Sequence, residues 1–388
     1  MFKIFEELQL KAKLSSSLTA LYSSILIDEI GSGLIGLFMP IFLWEKFGRL
    51  DLVLLYYLII HAIYSVSVIG GAMLMSKLGQ KMSMILSVPF KVIFYLALYY
   101  LSLNYSLLTF TILMTVAIEI QMMLFWIPYH TDFACFTNKK NRGRVIGFLS
   151  SFSGLVAVFV PLLSAWIIVN YGFNILFLVV IILTVASIGP LFLVQSTYEK
   201  FSFSFRESWR QFFKRRHRRL IISYFASGLE NMIGGLIWPV FIFQMLGGDF
   251  LKVGVLSSVI ILATIIIRLL MGSYTDRFDK YKLLKWGSGL YALGWIFKAL
   301  VATGWQIFIA ATYHNFAAIA MQTPFSALTY EKAADSGHYV DELTVLREMA
   351  LNLGRVFGVI LLLIFINLVG LQWTFILAAI ASLFINII

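Results

Sequence analysis

Charged residues are scarce in this chain of 388 residues: Asp, Glu, Lys and Arg make up 13% of it, about half the share of a typical soluble domain. A single cysteine, Cys135, excludes an intrachain disulfide framework. The sequence has no Walker-type phosphate loop, no His-Glu-x-x-His zinc signature and no cysteine cluster. These absences argue against an ATP-driven or metal-dependent enzyme, and we expect no cofactor and no metal.

Long apolar runs fill the chain instead, which is 60% hydrophobic with a mean hydropathy of +0.90. A helix that crosses a bilayer needs about 20 mainly apolar residues, and the runs are too long and too uniform for barrel strands. The sequence therefore predicts an all-α polytopic membrane protein with twelve transmembrane helices. The twelve runs are 18–44, 52–75, 82–103, 106–129, 145–169, 173–195, 220–246, 253–273, 284–304, 306–329, 345–369 and 371–388.

The net charge of +11 is spread over the short segments between these runs, so it does not indicate nucleic-acid binding. If the N-terminus is cytoplasmic, the cytoplasmic segments hold 23 Lys and Arg residues and the external ones hold 3. This asymmetry predicts that both termini are cytoplasmic, with 1–17 as a cytoplasmic N-terminal segment. The very short loops favour a bacterial cytoplasmic membrane.

The longest polar stretch, 196–219, divides the chain into two sets of six runs, 18–195 and 220–388. Its mixture of aromatic and basic residues is typical of an amphipathic helix on an anionic leaflet. An ordinary linker that topology alone has made basic is equally compatible with this composition.

The two sets of runs resemble each other at an offset near 200 residues. In the first set, Asp28-Glu29 is followed by a Gly-rich stretch and then by Pro40. In the second set, Glu230-Asn231 is followed by a similar stretch and then by Pro239. Later matches of the same kind pair Pro128 with Pro324 and Gly154 with Gly354. Two six-helix repeats are typical of transporters whose site lies at the midplane, between the repeats.

The segment from Gly272 through Asp276 and Arg277 resembles the loop motif of the major facilitator superfamily, and the copy after the second run keeps it only in part. The resemblance implies that Asp276 reaches the start of a helix in the other half. We interpret Asp276 and Arg144 as a cytoplasmic latch, with Arg347 at a companion interface. The alternative is that these charged residues only mark the loop as cytoplasmic and form no latch.

Four acidic residues fall deep inside the predicted helices, far from either end: Asp28, Glu29, Glu119 and Glu230. Carboxylates at the bilayer centre are costly, so they face a protein interior or a water-filled path. The resemblance implies that helices 1, 4, 7 and 10 line the central cavity, and each of them carries such a polar residue. We interpret these residues as proton or substrate sites, with Asp28 and Glu230 as first choices for protons, and structural pairing as the alternative. The remaining polar members of this set are Asn231, His314 and Asn315.

Helical spacing places aromatic and sulfur-containing residues beside these acids: Trp238 with Glu230, and Met123 and Trp126 with Glu119. Together with Gln322 they are our candidates for cavity-lining residues, and ordinary packing is the alternative. Basic residues also lie within the runs, among them Lys91, Lys298, Arg268 and Arg355. Lys91 and Lys298 are interpreted as charge partners of the acids, or as substrate ligands. Arg268 and Arg355 are expected to snorkel toward the cytoplasm or to join the latch.

The sequence therefore predicts a monomeric, proton-coupled secondary transporter of a small organic solute that works by alternating access in the lipid bilayer. Export of amphipathic or cationic compounds is the first choice, because acids next to Trp and Met suit such ligands. Uptake of a sugar, peptide or metabolite is one alternative, and a non-transporting receptor or scaffold on the same fold is another. The interacting species are a small-molecule substrate, protons and lipid, and no nucleic acid.

Overall fold

The computed structural model describes residues 16–136, 142–275, 279–335 and 340–388. Only the backbone is described at 16, 133–136, 142–153, 155, 269–275, 330–335 and 340. Helices account for nearly all of these residues. They are labelled α1 to α12, with the short helix between α6 and α7 called the linker helix. The linker face is the membrane face that carries residues 196–217, and the other is the opposite face.

The first half of the chain forms α1 to α6. Helix α1 is broken at residues 37–38, and α5 and α6 form one continuous helical stretch that turns at Gly172, whose φ of 83° suits a glycine. The bounds are α1 Ser16–Gly36 with Met39–Phe47, α2 Leu50–Leu78, α3 Gln80–Ser102, α4 Leu107–Phe136, and α5 and α6 within Arg142–Ala186, followed by the short turn Ile188–Leu191.

The second half forms α7 to α12 and repeats the pattern of the first. Helix α7 contains one π-helical turn, and α12 begins and ends with a 3-10 turn. The bounds are α7 Arg218–Met232, Ile233–Ile237 and Trp238–Met245, α8 Phe250–Thr275, α9 Lys280–Ala299, α10 Gly304–Asp335, α11 Val340–Val369, and α12 Phe375–Phe384 flanked by Gln372–Thr374 and Ile385–Ile387.

Helices α1 and α7 are both interrupted just before a proline. Pro40 and Pro239 each occupy the second position of the helical segment that follows the interruption. A proline has no N–H to donate to the carbonyl four residues earlier, so the regular hydrogen-bond ladder cannot continue through it. In α7 the adjustment takes the form of the π turn at Ile233–Ile237, a feature often found near functional sites.

Two helix pairs, α2 with α11 and α5 with α8, make the most extensive contacts between the halves. In the second pair, Gly254 of α8 allows close approach, because a methyl group there would lie 2.7 Å from the Pro161 carbonyl oxygen. The Leu162 backbone N–H also donates to the Ser258 hydroxyl at 3.2 Å. These contacts make the halves neighbours through backbone as well as side chains.

A cluster of phenylalanines joins the halves at the opposite face. Phe250 at the start of α8 lies 5.9 Å from Phe38 of α1, 5.5 Å from Phe173 of α6 and 4.7 Å from Phe243 of α7, measured between ring centroids. Such tilted and edge-on aromatic pairs add to the burial of apolar surface. The cluster therefore packs the two halves together at this end.

The segment after α6 contacts both halves at the linker face. The Phe201 N–H donates to the Ser76 hydroxyl of α2 at 2.7 Å, and the Ser202 N–H donates to Glu342 of α11 at 2.9 Å. The linker helix, Phe205–Phe212, begins at Ser204, whose hydroxyl accepts from the Glu207 N–H at 3.2 Å. Membrane binding by this helix remains a prediction, as do the domain boundaries at 195 and 219.

Eight helical stretches of the described chain are long and apolar enough to cross a membrane, and one of them, Val156–Leu191, contains two passes that meet at Gly172. Helices α9 and α10 and the shorter apolar α12 complete the set. The fold is consistent with the twelve passes predicted from the sequence. The main difference is that the predicted loop between the fifth and sixth helices is a single glycine turn.

Candidate functional site

Asp28 lies on α1 and forms an ion pair with Lys91 of α3. Lys91 Nζ is 2.5 Å from Asp28 Oδ2 and 3.0 Å from the Ser32 hydroxyl, and the side chains of Lys91 and Asp28 are 13% and 17% exposed. The lysine thus supplies the charge that a carboxylate at this depth needs. This arrangement agrees with the interpretation of Lys91 as a charge partner.

Glu230 lies at the related position of α7 and is buried. The hydroxyl of Tyr291, on α9, donates to Glu230 Oε1 at 2.7 Å. Gly234 lies one turn further along α7, where a Cβ atom would come within 3.2 Å of the Trp295 ring. A glycine here therefore lets Trp295 pack beside the carboxylate.

Lys298, also on α9, is buried next to this carboxylate but held mainly by aromatic rings. Its Nζ lies 4.1 Å from the Trp295 ring centroid and 4.4 Å from that of Trp238. In the described part of the chain, no carboxylate oxygen reaches ion-pair distance from this ammonium group. Two indole faces provide favourable cation–π contacts in a desolvated place. Lys298 is therefore a charge neighbour of Glu230 rather than a direct ion-pair partner.

His314 and Asn315, predicted to face the central cavity from α10, point to other helices. The His314 ring is buried 4.2 Å from the Tyr291 centroid and 4.5 Å from that of Trp295. Asn315 Nδ2 donates to the Thr264 hydroxyl of α8 at 3.4 Å. His314 thus belongs with the Glu230 cluster, inside the second half, and a role in proton transfer remains a prediction.

Glu119 of α4 is a buried carboxyl group of a different kind. Neither of its oxygens meets the geometry of a hydrogen bond with any described residue. The Ser67 hydroxyl of α2 is a polar neighbour, close enough to act on the carboxyl group. A bare carboxylate in a low-dielectric interior costs several kcal/mol. The environment of Glu119 therefore suits a neutral carboxylic acid.

A polar network crosses from one half to the other at the middle of the membrane. His61 Nδ1, on α2, lies 2.9 Å from Asn352 Oδ1, on α11, and Arg355 donates to the same oxygen at 3.2 Å. Arg355 also donates to Asn231 Oδ1 of α7 at 3.4 Å. The Asn352 Nδ2 group donates to the Glu348 carbonyl at 2.8 Å, so its Oδ1 can only accept and His61 carries a hydrogen on Nδ1.

The sequence analysis expected the Arg355 side chain to extend toward the cytoplasm, which would be the linker face. In the structure it does not. Its guanidinium is held in place by amides of two helices at the centre of the fold. The expectation failed because snorkeling assumes lipid around the side chain, whereas Arg355 faces α7 and α2. Its position in the middle of an apolar run was the available signal. The same signal was present for His61.

Nearer the linker face, α11 meets α4 through a group of charged residues. Arg347 donates to Glu348 Oε1 at 2.9 Å, and His130 Nε2 of α4 lies 3.9 Å from that same oxygen. The Arg347 guanidinium carbon also lies 5.7 Å from the Tyr224 ring centroid. Arg347 is therefore part of an interface between the halves.

The predicted cavity-lining residues divide into exposed and packed groups. Trp126 is exposed and stacks on His130, and Glu29 and Gln322 are also exposed. Met123 packs against Gly70, where a Cβ would lie 3.5 Å from its methyl group. Packing therefore accounts for Met123, and a role in ligand binding for the exposed residues remains a prediction.

The predicted latch cannot be compared with the structure. Asp276 and Arg277 lie outside the described residues. Arg144 and Gly272 lie in stretches of α5 and α8 for which only the backbone is described. Asp276 with Arg144 therefore remains a sequence-based hypothesis.

Comparison with known families gives a match to the model described as Major Facilitator Superfamily over residues 21–341, with a second match over 220–388. The chain belongs to the major facilitator superfamily. The resemblance read from the segment around Gly272 is thereby confirmed. Membership in this family supports a secondary transporter in a membrane, rather than an enzyme.

Individual relatives are distant in sequence and similar in fold. The chain is 23% identical over 365 residues to the uncharacterized protein YqgE of Bacillus subtilis (strain 168), covering 88% of this chain and 80% of that protein. The crystal structure of the human organic anion transporter MFSD10 (TETRAN) has a TM-score of 0.71 at 13% identity, covering 96% of this chain and 99% of that one.

Two further solved structures have the same architecture. FucP, a major facilitator in its outward conformation, has a TM-score of 0.67 at 12% identity and covers 96% of this chain and 98% of its own. A POT family transporter in complex with 5-aminolevulinic acid has a TM-score of 0.69 at 11% identity, with coverages of 95% and 94%. At these identities the likeness establishes the fold.

Proposed function

We propose that this protein is a proton-coupled secondary transporter that carries a small organic solute along the interface between its two halves. The proposal of proton coupling rests on the environment of Glu119. Its carboxyl group is buried on α4 without a hydrogen-bond partner among the described residues. The charged form is strongly disfavoured in such a place, so we expect Glu119 to hold a proton while it is buried.

Alternating access would change that environment. When the halves move apart on one side, water reaches α4 and can solvate a carboxylate, so Glu119 can release its proton there. Such a carboxyl group is neutral while it is buried and ionised while it is exposed to water. Proton binding is thereby coupled to the conformational change. Asp28 differs, because Lys91 balances its charge at 2.5 Å without a proton.

The direction of transport and the class of solute are parts of the same proposal. Export of an amphipathic or cationic compound is the expectation from the sequence, and uptake of a metabolite is the alternative. Among the acids that this expectation invoked, Asp28 is bonded to Lys91 and Glu230 to Tyr291. These two acids are therefore less available to a cationic solute than the sequence suggested.

A direct test uses purified protein in liposomes that contain a pH-sensitive dye. Solutes that raise the melting temperature of the detergent-purified protein in a panel of drugs, sugars, peptides and metabolites are then added as gradients. We expect a solute gradient to move protons in the wild-type protein. In Glu119→Gln we expect that proton movement to be lost while solute exchange across the membrane remains.

Asp51→Asn is the matched control, because Asp51 is an acid near the opposite face, paired with Arg49 at 2.5 Å. We expect it to behave like the wild type. Unchanged proton movement in Glu119→Gln would overturn the role of Glu119. Binding of a solute without any transport would favour a receptor or scaffold on this fold.

A further inference from the structure

Arg355 is a cation at the middle of the membrane. It lies fifteen residues after Val340, where α11 begins at the linker face, which corresponds to roughly 22 Å along the helix. The hydrocarbon core of a bilayer is about 30 Å thick. An arginine at this depth is costly, and such residues are usually retained for a function.

The partners of Arg355 are neutral. Its two terminal nitrogens donate to the amide oxygens of Asn352 and Asn231, at 3.2 Å and 3.4 Å. Its Nε is buried and has no hydrogen-bond partner among the described residues. A guanidinium offers five N–H donors in a planar fork, so most of its capacity for hydrogen bonding is unused.

The nearest source of negative charge on α11 is already engaged. Glu348 lies two turns before Arg355, and its carboxylate accepts from Arg347 at 2.9 Å. In the parts of the chain that the structure describes, no carboxylate oxygen lies within ion-pair distance of Arg355. The positive charge of Arg355 is therefore left without a direct counter-charge from these residues.

One side of the guanidinium is open. Its partner Asn231 is exposed on α7, and a Cβ added to Gly235, one turn further, would meet no atom within 4 Å. On the other side, Asn352 links Arg355 to His61 of α2, in the first half. A small molecule between the halves can thus approach Arg355 from the Asn231 side.

We propose that Arg355 binds a carboxylate group of the transported solute, with Asn231 and Asn352 holding the guanidinium in position. This inference rests on the proposed transport function and names its substrate class: a small organic anion. An arginine fork binds a carboxylate through two parallel hydrogen bonds, stronger than those it makes to amides. The solute supplies the charge that the site lacks.

Three sets of probes that differ mainly in charge can test the class of ligand. They are benzoate, benzamide and benzylamine; pentanoate, pentanamide and pentylamine; and glutarate, glutaramide and 1,5-diaminopentane. In a thermal-shift measurement on detergent-purified protein, we expect an acid to raise the melting temperature more than its amide, and the amine to have no effect. Equal shifts for acid and amide, shifts for the amines alone, or no shift with any acid would each overturn the proposal.

Variants then locate the binding to Arg355. We expect Arg355→Gln to weaken binding of the acid that gives the largest thermal shift by about 10- to 100-fold. This is the usual loss of affinity when one charged hydrogen-bonded contact is removed. Arg268→Gln is the matched control, since Arg268 is an exposed arginine on α8 of the same half, and its affinity should equal that of the wild type. An unchanged affinity in Arg355→Gln would overturn the proposal.

A second variant at the same position keeps the test valid if Arg355→Gln does not fold. Arg355→Lys keeps the charge but loses the planar fork, so we expect binding between that of the wild type and that of the glutamine variant. Size-exclusion profiles identify variants that do not fold. If Arg355→Gln does not fold, an acid affinity in Arg355→Lys equal to that of the wild type overturns the proposal.

The outcome is separable from that of the proposed proton coupling. Acid binding that depends on Arg355, together with an absence of proton movement in liposomes, would leave the anion site standing and refute coupling through Glu119. Proton-coupled transport of a neutral or cationic solute that persists in Arg355→Gln would leave coupling standing and refute the anion site.

Discussion

The two halves of the protein place an acid and a lysine on related helices and balance their charges differently. In the first half Asp28 of α1 meets Lys91 of α3 directly, with 2.5 Å between oxygen and nitrogen. In the second half Glu230 of α7 accepts from Tyr291, while Lys298 of α9 lies over two indole rings. The repeat has kept the pair of charges and changed the contacts around it.

The difference follows from what fills the space between each pair of helices. Ser32 lies one turn after Asp28 and gives Lys91 a second oxygen at 3.0 Å, whereas Gly234 lies one turn after Glu230 and makes room for Trp295. An oxygen-lined space keeps the first pair polar and part-buried. Aromatic rings enclose the second pair and remove it from water, so each of its charges depends more strongly on the other.

Lys298→Met should give the largest effect. It leaves Glu230 buried without a positive neighbour, and a buried charge that loses its compensation costs about 3 kcal/mol of unfolding free energy. The measurement is unfolding in mixed detergent micelles followed by tryptophan fluorescence. The double variant Lys298→Met with Glu230→Gln should be closer to the wild type, because neither charge remains.

Lys252→Met is the control for loss of a lysine in the same half. Lys252 lies 3.5 Å from Asp249 in an exposed pair, and exposed pairs add little to stability, so no measurable change is expected. A Lys298→Met protein as stable as this control would mean that Glu230 does not depend on the lysine. The aromatic rings around Lys298 and Glu230 would then not strengthen the interaction between the two charges.

Tyr291→Phe should have the second-largest effect. It removes the hydrogen bond to Glu230 and leaves a buried carboxylate oxygen without its partner, at a cost of about 2 kcal/mol. Tyr95→Phe is the matched change in the first half, where the Tyr95 hydroxyl is 3.5 Å from Ser32 and bonds it weakly at best. The same unfolding measurement should therefore separate the two variants, and equal losses would contradict the contrast between the halves.

Much of the fold could be predicted from sequence, because membrane-spanning helices leave a strong one-dimensional pattern. The apolar runs, the repeat of Asp28-Glu29 in Glu230-Asn231 and the segment around Gly272 were sufficient for the family. The π turn in α7 and the break in α1 were not foreseen. A proline shows where the helix must adjust, but neighbouring helices decide how it does so.

The candidate site was less accessible to sequence reasoning, because spacing along one helix says nothing about the facing helix. Lys91 was recognised as a charge partner, while the aromatic contacts of Lys298 depend on Trp238 from a distant part of the chain. His314 was expected in the central cavity and instead packs on Tyr291. The snorkelling expected for Arg355 was wrong, because amides of two different helices hold its guanidinium.

Lys91→Met should have the smallest effect of the three changes and tests the comparison from the side of the first half. Asp28 loses its ion pair, but its side chain is 17% exposed, so water can solvate the carboxylate or supply a proton. The expected loss is about 1 kcal/mol, between the values for exposed and buried pairs. Adding Asp28→Asn should recover most of it in the same unfolding measurement. A loss as large as that of Lys298→Met would show that both halves enclose their charges equally, and that the serine and the tryptophan differ in shape without differing in electrostatic effect.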